Sequence, residues 1–214
     1  MKLERVLLCF NLNAQIFMPV TIFFNYLNQI YPLKEHLVTY LSEKVTTVEF
    51  KKGKYLISPL DKEDCLFFVV KGAVRGFTKI NAKKITTWLE VENVLIGRIR
   101  SIDGLGITEE YIEAIEDCEL VVINKEMLNY LYDNYFEINY IGRVLIERSY
   151  AAAEERAFIA RLPSAESKYL RFLKAYPHLI ERIPLRFIAS FLNVSEETLS
   201  RVRTKIAKCN RLNL

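Results

Sequence analysis

The sequence predicts an α+β chain: an antiparallel, jelly-roll-like β-roll, then a long helix, then a helix-turn-helix. Three observations predict it. Short β-type runs follow one another at close spacing between residues 45 and 124. The apolar period then changes from two to helical. The last quarter holds two short helical stretches joined at Leu192-Asn193-Val194, the second of them basic.

The elements follow in chain order. "FFNYLNQIYPLKEHLVTYLSEK" has the pattern of two amphipathic helices interrupted near Pro32. The β-type runs are "VTTVEF", "KYLIS", "CLFFVVKG", "AVRGFTKI", "KITTWLEVE", "EEYIEAI" and "ELVVINK". Turn-like residues separate them at Lys52-Gly53, Ser58-Pro59, Lys71-Gly72, Asn81-Ala82 and Asp103-Gly104. "KEMLNYLYDNY" is a short helix, and a longer one runs from about Phe136 to Ala160. In the longer helix Ile138, Leu145, Ala152 and Ile159 recur every seven residues, with Ile141 beside them. Such a stripe suits a face packed on the chain's own roll or a seam with a partner helix. A dimer seam is the expectation, because the stripe outlasts one small domain face. Arg148 and Glu155 interrupt the second seam position, so no long, tight zipper is implied. Arg161-Leu162-Pro163 is a joint. Ser164 can cap the next helix, Pro177 stops it, and Pro184 starts another.

Composition narrows the function classes. With 51% apolar and 26% charged residues, the 214-residue chain can bury a real core. It has no apolar run of about 18 residues, so no membrane partner is expected. The start, "MKLERVLLCFNLNAQIFMPV", lacks the length and cleavage site of a signal peptide, and Met18 is an alternative start. None of Cys9, Cys65, Cys118 and Cys209 lies within five residues of another, which fits neither a zinc site nor a cluster. Reduced thiols, a cytoplasmic location and no metal or other cofactor are expected. A cupin-like jelly-roll enzyme needs a His/Glu cluster on the roll, yet no histidine lies between His36 and His178. A non-enzyme is therefore expected. Net charge is +4, but from Arg161 onward 11 Lys/Arg face 4 Asp/Glu. The basic charge belongs to the last quarter, which points to nucleic acid.

In "RFIASFLNVSEETLSRVRTKI", Phe187, Ile188, Phe191 and Leu192 make an apolar stripe. Asn193 suits a left-handed turn residue, and Ala189 is small enough for a second helix to pass closely. With Leu199 at 0° on a helical wheel, Val202 and Ile206 fall at about 300° and 340°, the buried side. Glu197, Ser200, Arg201, Thr204 and Lys208 fall between about 100° and 200°, the exposed side. Ser195 is placed as N-cap, and Glu196 and Glu197 complement the helix dipole. Glu197 also stands one turn before Arg201. A carboxylate can accept from the cytosine amino group, and an arginine can bind guanine O6 and N7 together. A plain i,i+4 surface pair is the alternative.

At these residues the chain resembles the Crp/Fnr family of bacterial transcription regulators, from about Phe23 to Ala207. "VVKGAVRGF" resembles its β-roll strand pair, "IEAIEDCELVVINKEML" its last roll strands entering the dimer helix, and "PLRFIASFLNVSEETLSRVR" its recognition motif. The Glu-x-x-Ser-Arg pattern is that of the Fnr branch, whose three polar residues read a TTGA-like half-site. The resemblance implies a cyclic-nucleotide-binding-like sensor, a dimerisation helix and a winged helix-turn-helix. The expected division is residues 1–20 extension, 21–135 sensor, 136–160 dimerisation helix and 161–214 DNA-binding domain. Only about eleven residues separate Arg171-Phe172-Leu173 from Pro184, so the wing is expected to be reduced or absent.

The implied function is a homodimeric regulator of double-stranded DNA, with pseudo-palindromic TGA-containing half-sites and RNA polymerase as a further partner. The sensor stretch "ENVLIGRIRSIDGLGITEEYIEAIED" departs from the family. It lacks the Gly-Glu pair of cyclic-nucleotide binders, and Glu109-Glu110 stand about where their phosphate-binding arginine belongs. Acids there repel a phosphate. Arg98 and Arg100 are candidates for another anion, or simply a solvated basic strand or loop. The closely spaced cysteines of the cluster-binding branch are missing too. A ligand-independent regulator, or an interaction module with a vestigial sensor, is the alternative.

Overall fold

The structure is a computed structural model that describes residues 14–61, 65–81, 83–97 and 109–212. Eight strands form the roll: β1 (Thr46–Phe50), β2 (Tyr55–Ile57), β3 (Cys65–Lys71), β4 (Val74–Ile80), β5 (Lys83–Glu90), β6 (Leu95–Gly97), β7 (Tyr111–Ala114) and β8 (Cys118–Asn124). They make two four-stranded sheets, ordered β1-β8-β3-β6 and β2-β7-β4-β5. Every pairing is antiparallel. Gly72 carries the chain from one sheet to the other at φ +102°, where a Cβ would lie 2.6 Å from the Asp117 carbonyl oxygen.

The near-continuous apolar run of β3 has a structural cause. Phe67 and Val69 point between the sheets, against Val74, Ile112 and Leu120. Phe68 and Val70 point outward, under a helical cap. Two faces must be covered, so the strand does not alternate. The cap is built from α1 (Ala14–Ile30), α2 (Glu35–Lys44) and α3 (Lys125–Asn134), which bury Phe23, Phe24, Leu37, Leu41 and Leu131. The break between α1 and α2 falls at Pro32, as the sequence predicts. Helix α1 runs unbroken through Pro19, so the expected boundary at residue 20 lies inside it.

Helix α4 (Phe136–Arg161) follows. Ile138 and Ile141 are buried with the helical cap, and Leu145 packs against it. Ile159 is buried with the C-terminal helices, and Ala152 is half-buried. This stripe therefore meets the chain's own core, and its buried members are not open to a partner. A different apolar stripe faces outward, about 100° round the helix. Ile146 and Tyr150 are each 66% exposed there. Ala153, Ala157 and Ala160 continue it, and the spacing alternates four and three.

The C-terminal unit comprises α5 (Ala165–Ala175), a 3-10 turn at Pro177–Leu179, α6 (Leu185–Phe191) and α7 (Glu196–Leu212). Ser164 caps α5 by accepting from the Ser167 amide at 3.1 Å. Residues 176–184 contain no strand, so no wing hairpin stands where the family pattern places one. Among the described residues no helix is long and apolar enough to cross a membrane.

Candidate nucleic-acid interface

The helix-turn-helix is assembled as the local chemistry requires. Phe187, Ile188, Ala189 and Leu192 are buried. Asn193 takes φ +53°, and the Val194 amide donates to the Ala189 carbonyl at 3.0 Å. That reversal turns the chain from α6 into α7 at a residue type that tolerates the left-handed region. Ser195 Oγ accepts from the Thr198 amide at 3.1 Å, which caps α7. Leu199 is wholly buried, and Val202 and Ile206 pack on the same core. Lys205 pairs with Glu166 of α5 at 2.7 Å, fixing the rotation of α7 from its other flank.

Glu197, Ser200, Arg201, Thr204 and Lys208 are all exposed on one face. The Thr204 hydroxyl donates to the Ser200 carbonyl at 3.0 Å, so its oxygen faces solvent as an acceptor. Glu197 and Arg201 form no ion pair among the described residues, leaving both groups open to outside partners. The face thus presents an acceptor, two hydroxyls, a guanidinium and an ammonium along about three turns of helix.

The unit is latched to the roll by contacts that sequence reading missed. Arg182 donates to Glu92 at 2.6 Å and also to Glu116. Ser190 Oγ accepts from the Thr86 amide at 3.0 Å and donates to the Lys84 carbonyl. Beneath α6, Arg75 donates through Nε and Nη2 to Glu113 Oε2, at 2.8 and 2.6 Å, and stacks 4.2 Å from the centre of the Phe187 ring. Ala73, Leu89 and Ile115 of the roll share one core with Phe172, Ile188 and Leu199. These residues are scattered over more than a hundred positions, so only the fold reveals them.

In the roll, Glu110 accepts from Thr87 Oγ1 at 2.7 Å and Trp88 Nε1 at 2.9 Å. It braces β5, and no arginine takes its place. Arg98 and Arg100 lie outside the described residues. A separate cleft between the roll and α4 holds Glu90, Arg148 and Arg156. No group of three or more potential metal ligands occurs among the described residues.

Comparison with known proteins finds a family model that matches part of the chain, over the roll. Residues 47–135 match the cyclic nucleotide-binding domain family. The whole architecture recurs in solved structures. FixK2 from Bradyrhizobium japonicum matches with a TM-score of 0.67 and 15% identity, over 78% of this chain and 86% of that one. A protein of Eubacterium rectale assigned to the crp/fnr family of transcriptional regulators matches with 0.64 and 19%, over 83% and 85%. A variant of CooA from Carboxydothermus hydrogenoformans matches with 0.64 and 14%, over 78% of each chain. No curated protein sequence matches the chain. At these identities the structural likeness establishes a common fold: antiparallel roll, long helix and C-terminal helical unit.

Proposed function

We propose that this chain is a homodimeric, sequence-specific DNA-binding transcription regulator of the Crp/Fnr type, with a sensor that does not take cyclic AMP. The observation that carries this reading is the outward face of α7. Five polar side chains stand clear of the chain while Leu199 anchors the opposite side. Arg201 binds guanine O6 and N7 in the major groove, and Glu197 accepts from a cytosine amino group. Ser200 touches the neighbouring T·A pair. Thr204 lies beside them, and Lys208 meets a phosphate at the edge of the face.

The second copy docks along Ile146, Tyr150, Ala153, Ala157 and Ala160 of α4. The exposure of Ile146 and Tyr150 and the heptad spacing support this seam over the buried stripe. Two-fold symmetry then sets the recognition helices about 34 Å apart, one turn of B-DNA. The sites are pseudo-palindromic with TGA in each half, and RNA polymerase is the partner that converts binding into regulation. Selection of bound sequences from random duplex DNA tests the proposal. Recovery of paired TGA half-sites about ten base pairs apart supports it. Enrichment of no sequence over random DNA refutes it.

A further inference from the structure

Beside α4 the roll leaves two adjoining cavities of about 250 and 330 Å³. Glu90, at the end of β5, and Ser149 and Ala152 of α4 line both. Arg156 opens onto the smaller cavity, and Arg148 and His178 onto the larger. Among the described residues the Glu90 carboxylate accepts no hydrogen bond and joins no ion pair. Burial pushes it up to about 7, against the attraction of Arg156. Arg156 lies beside the Tyr176 hydroxyl and forms no ion pair among the described residues.

A largely buried carboxylate that accepts no hydrogen bond is costly even with a guanidinium near it, and such groups concentrate where a ligand is received. The charges select the ligand's class. A simple anion that reached Arg156 would bring its charge toward Glu90, and a simple cation at Glu90 would face Arg156. A molecule carrying both signs a few bonds apart satisfies both walls at once. The cavities sit at or below the small end of ordinary ligand sites, which suits a small metabolite better than a nucleotide.

We propose that the cleft between the roll and α4 binds a free α-amino acid, with its ammonium on Glu90, its carboxylate on Arg156 and its side chain in the larger cavity. Leu145, Val94 and Leu95 give that cavity an apolar wall, and Glu92, Asn93, Arg148 and His178 a polar one, so it admits apolar and polar side chains alike. The amino acid ties β5 to α4, the helix that carries the dimer seam and leads into the DNA-binding unit. It is thus an effector for the regulator proposed above. It rests on that reading only for its consequence, since binding itself is measured on the free protein.

The test is thermal unfolding of the full chain at pH 8 with each of the common L-amino acids at about 10 mM. The amine lacking the carboxyl group, the acid lacking the amino group, cyclic AMP and cyclic GMP serve as comparisons. At least one amino acid should raise the melting temperature by about 2–5 °C. Its amine and acid fragments should not. Glu90→Gln and Arg156→Gln should each abolish the shift while still unfolding cooperatively. The proposal is overturned if no amino acid shifts the wild type, if the shift survives in both variants, or if only a cyclic nucleotide binds. A gel shift run alongside separates the two readings. A chain that binds DNA but no amino acid refutes the effector alone. One that takes the amino acid but no DNA refutes the regulator and leaves the site.

Discussion

Replacing Glu90 by glutamine removes a charge that the fold holds at a cost, and the size of that cost follows from the structure. The carboxyl ordinarily titrates at 4.5 and is pushed up to about 7, first by burial and with Arg156 opposing. Because the folded value is the raised one, the penalty is absent below about pH 4.5, where both states are protonated. It grows as pH rises, because the unfolded chain ionises first, and it saturates above about 7. At about 1.4 kcal/mol per tenfold difference, the full penalty is about 3 kcal/mol. Glu90→Gln should therefore stabilise the chain by about 3 kcal/mol at pH 8, about 2 at pH 6 and under about 0.5 at pH 4.5. Arg148 and Arg156 of α4, Glu92 of the roll, Tyr26, Tyr176 and His178 are the other ionisable groups in these surroundings, and all are common to both proteins. Urea unfolding of both proteins at the three pH values measures the difference directly. A variant no more stable than wild type at pH 8, or a gain that does not grow with pH, refutes the assignment.

Three further outcomes are expected. Ile146→Glu places a charge on the outward stripe and should yield monomers by sedimentation, whereas Val144→Thr on the same helix should not. Arg182→Ala breaks the bridges to Glu92 and Glu116; the side chain is 37% exposed, so the loss should be only about 1 kcal/mol. Faster amide exchange in α6 than in β4 should report that loosening. Cys118 is buried and its thiol is pushed up to about 11, so at pH 8 it should alkylate far more slowly than exposed Cys209.

The helix-turn-helix was legible because each of its signals is local. Asn193 marks the left-handed turn, Ser195 the cap, and Leu199, Val202 and Ile206 the buried face, all within fourteen residues. The roll was legible in outline from its short runs and turns. The face of α4 was not. A seven-residue apolar repeat looks the same whether it meets a partner or the chain's own core. Here Ile138, Ile141 and Ile159 serve the core, and Ile146 and Tyr150, outside that repeat, face solvent. Nor could the sequence announce Glu90 or Arg182. Each acts on residues brought near only when β5, α4 and the C-terminal unit close on one another.

The measurement that most directly tests base reading by α7 compares Arg201→Ala with Lys208→Ala on selected and random duplex DNA, across a range of salt. Arg201→Ala should weaken binding to the selected site by about 1–3 kcal/mol while leaving random DNA nearly unchanged. Lys208→Ala should weaken both equally and reduce the salt slope by about one. If Arg201→Ala instead weakens selected and random DNA by the same factor, α7 does not read bases through Arg201, and the account of this face is wrong.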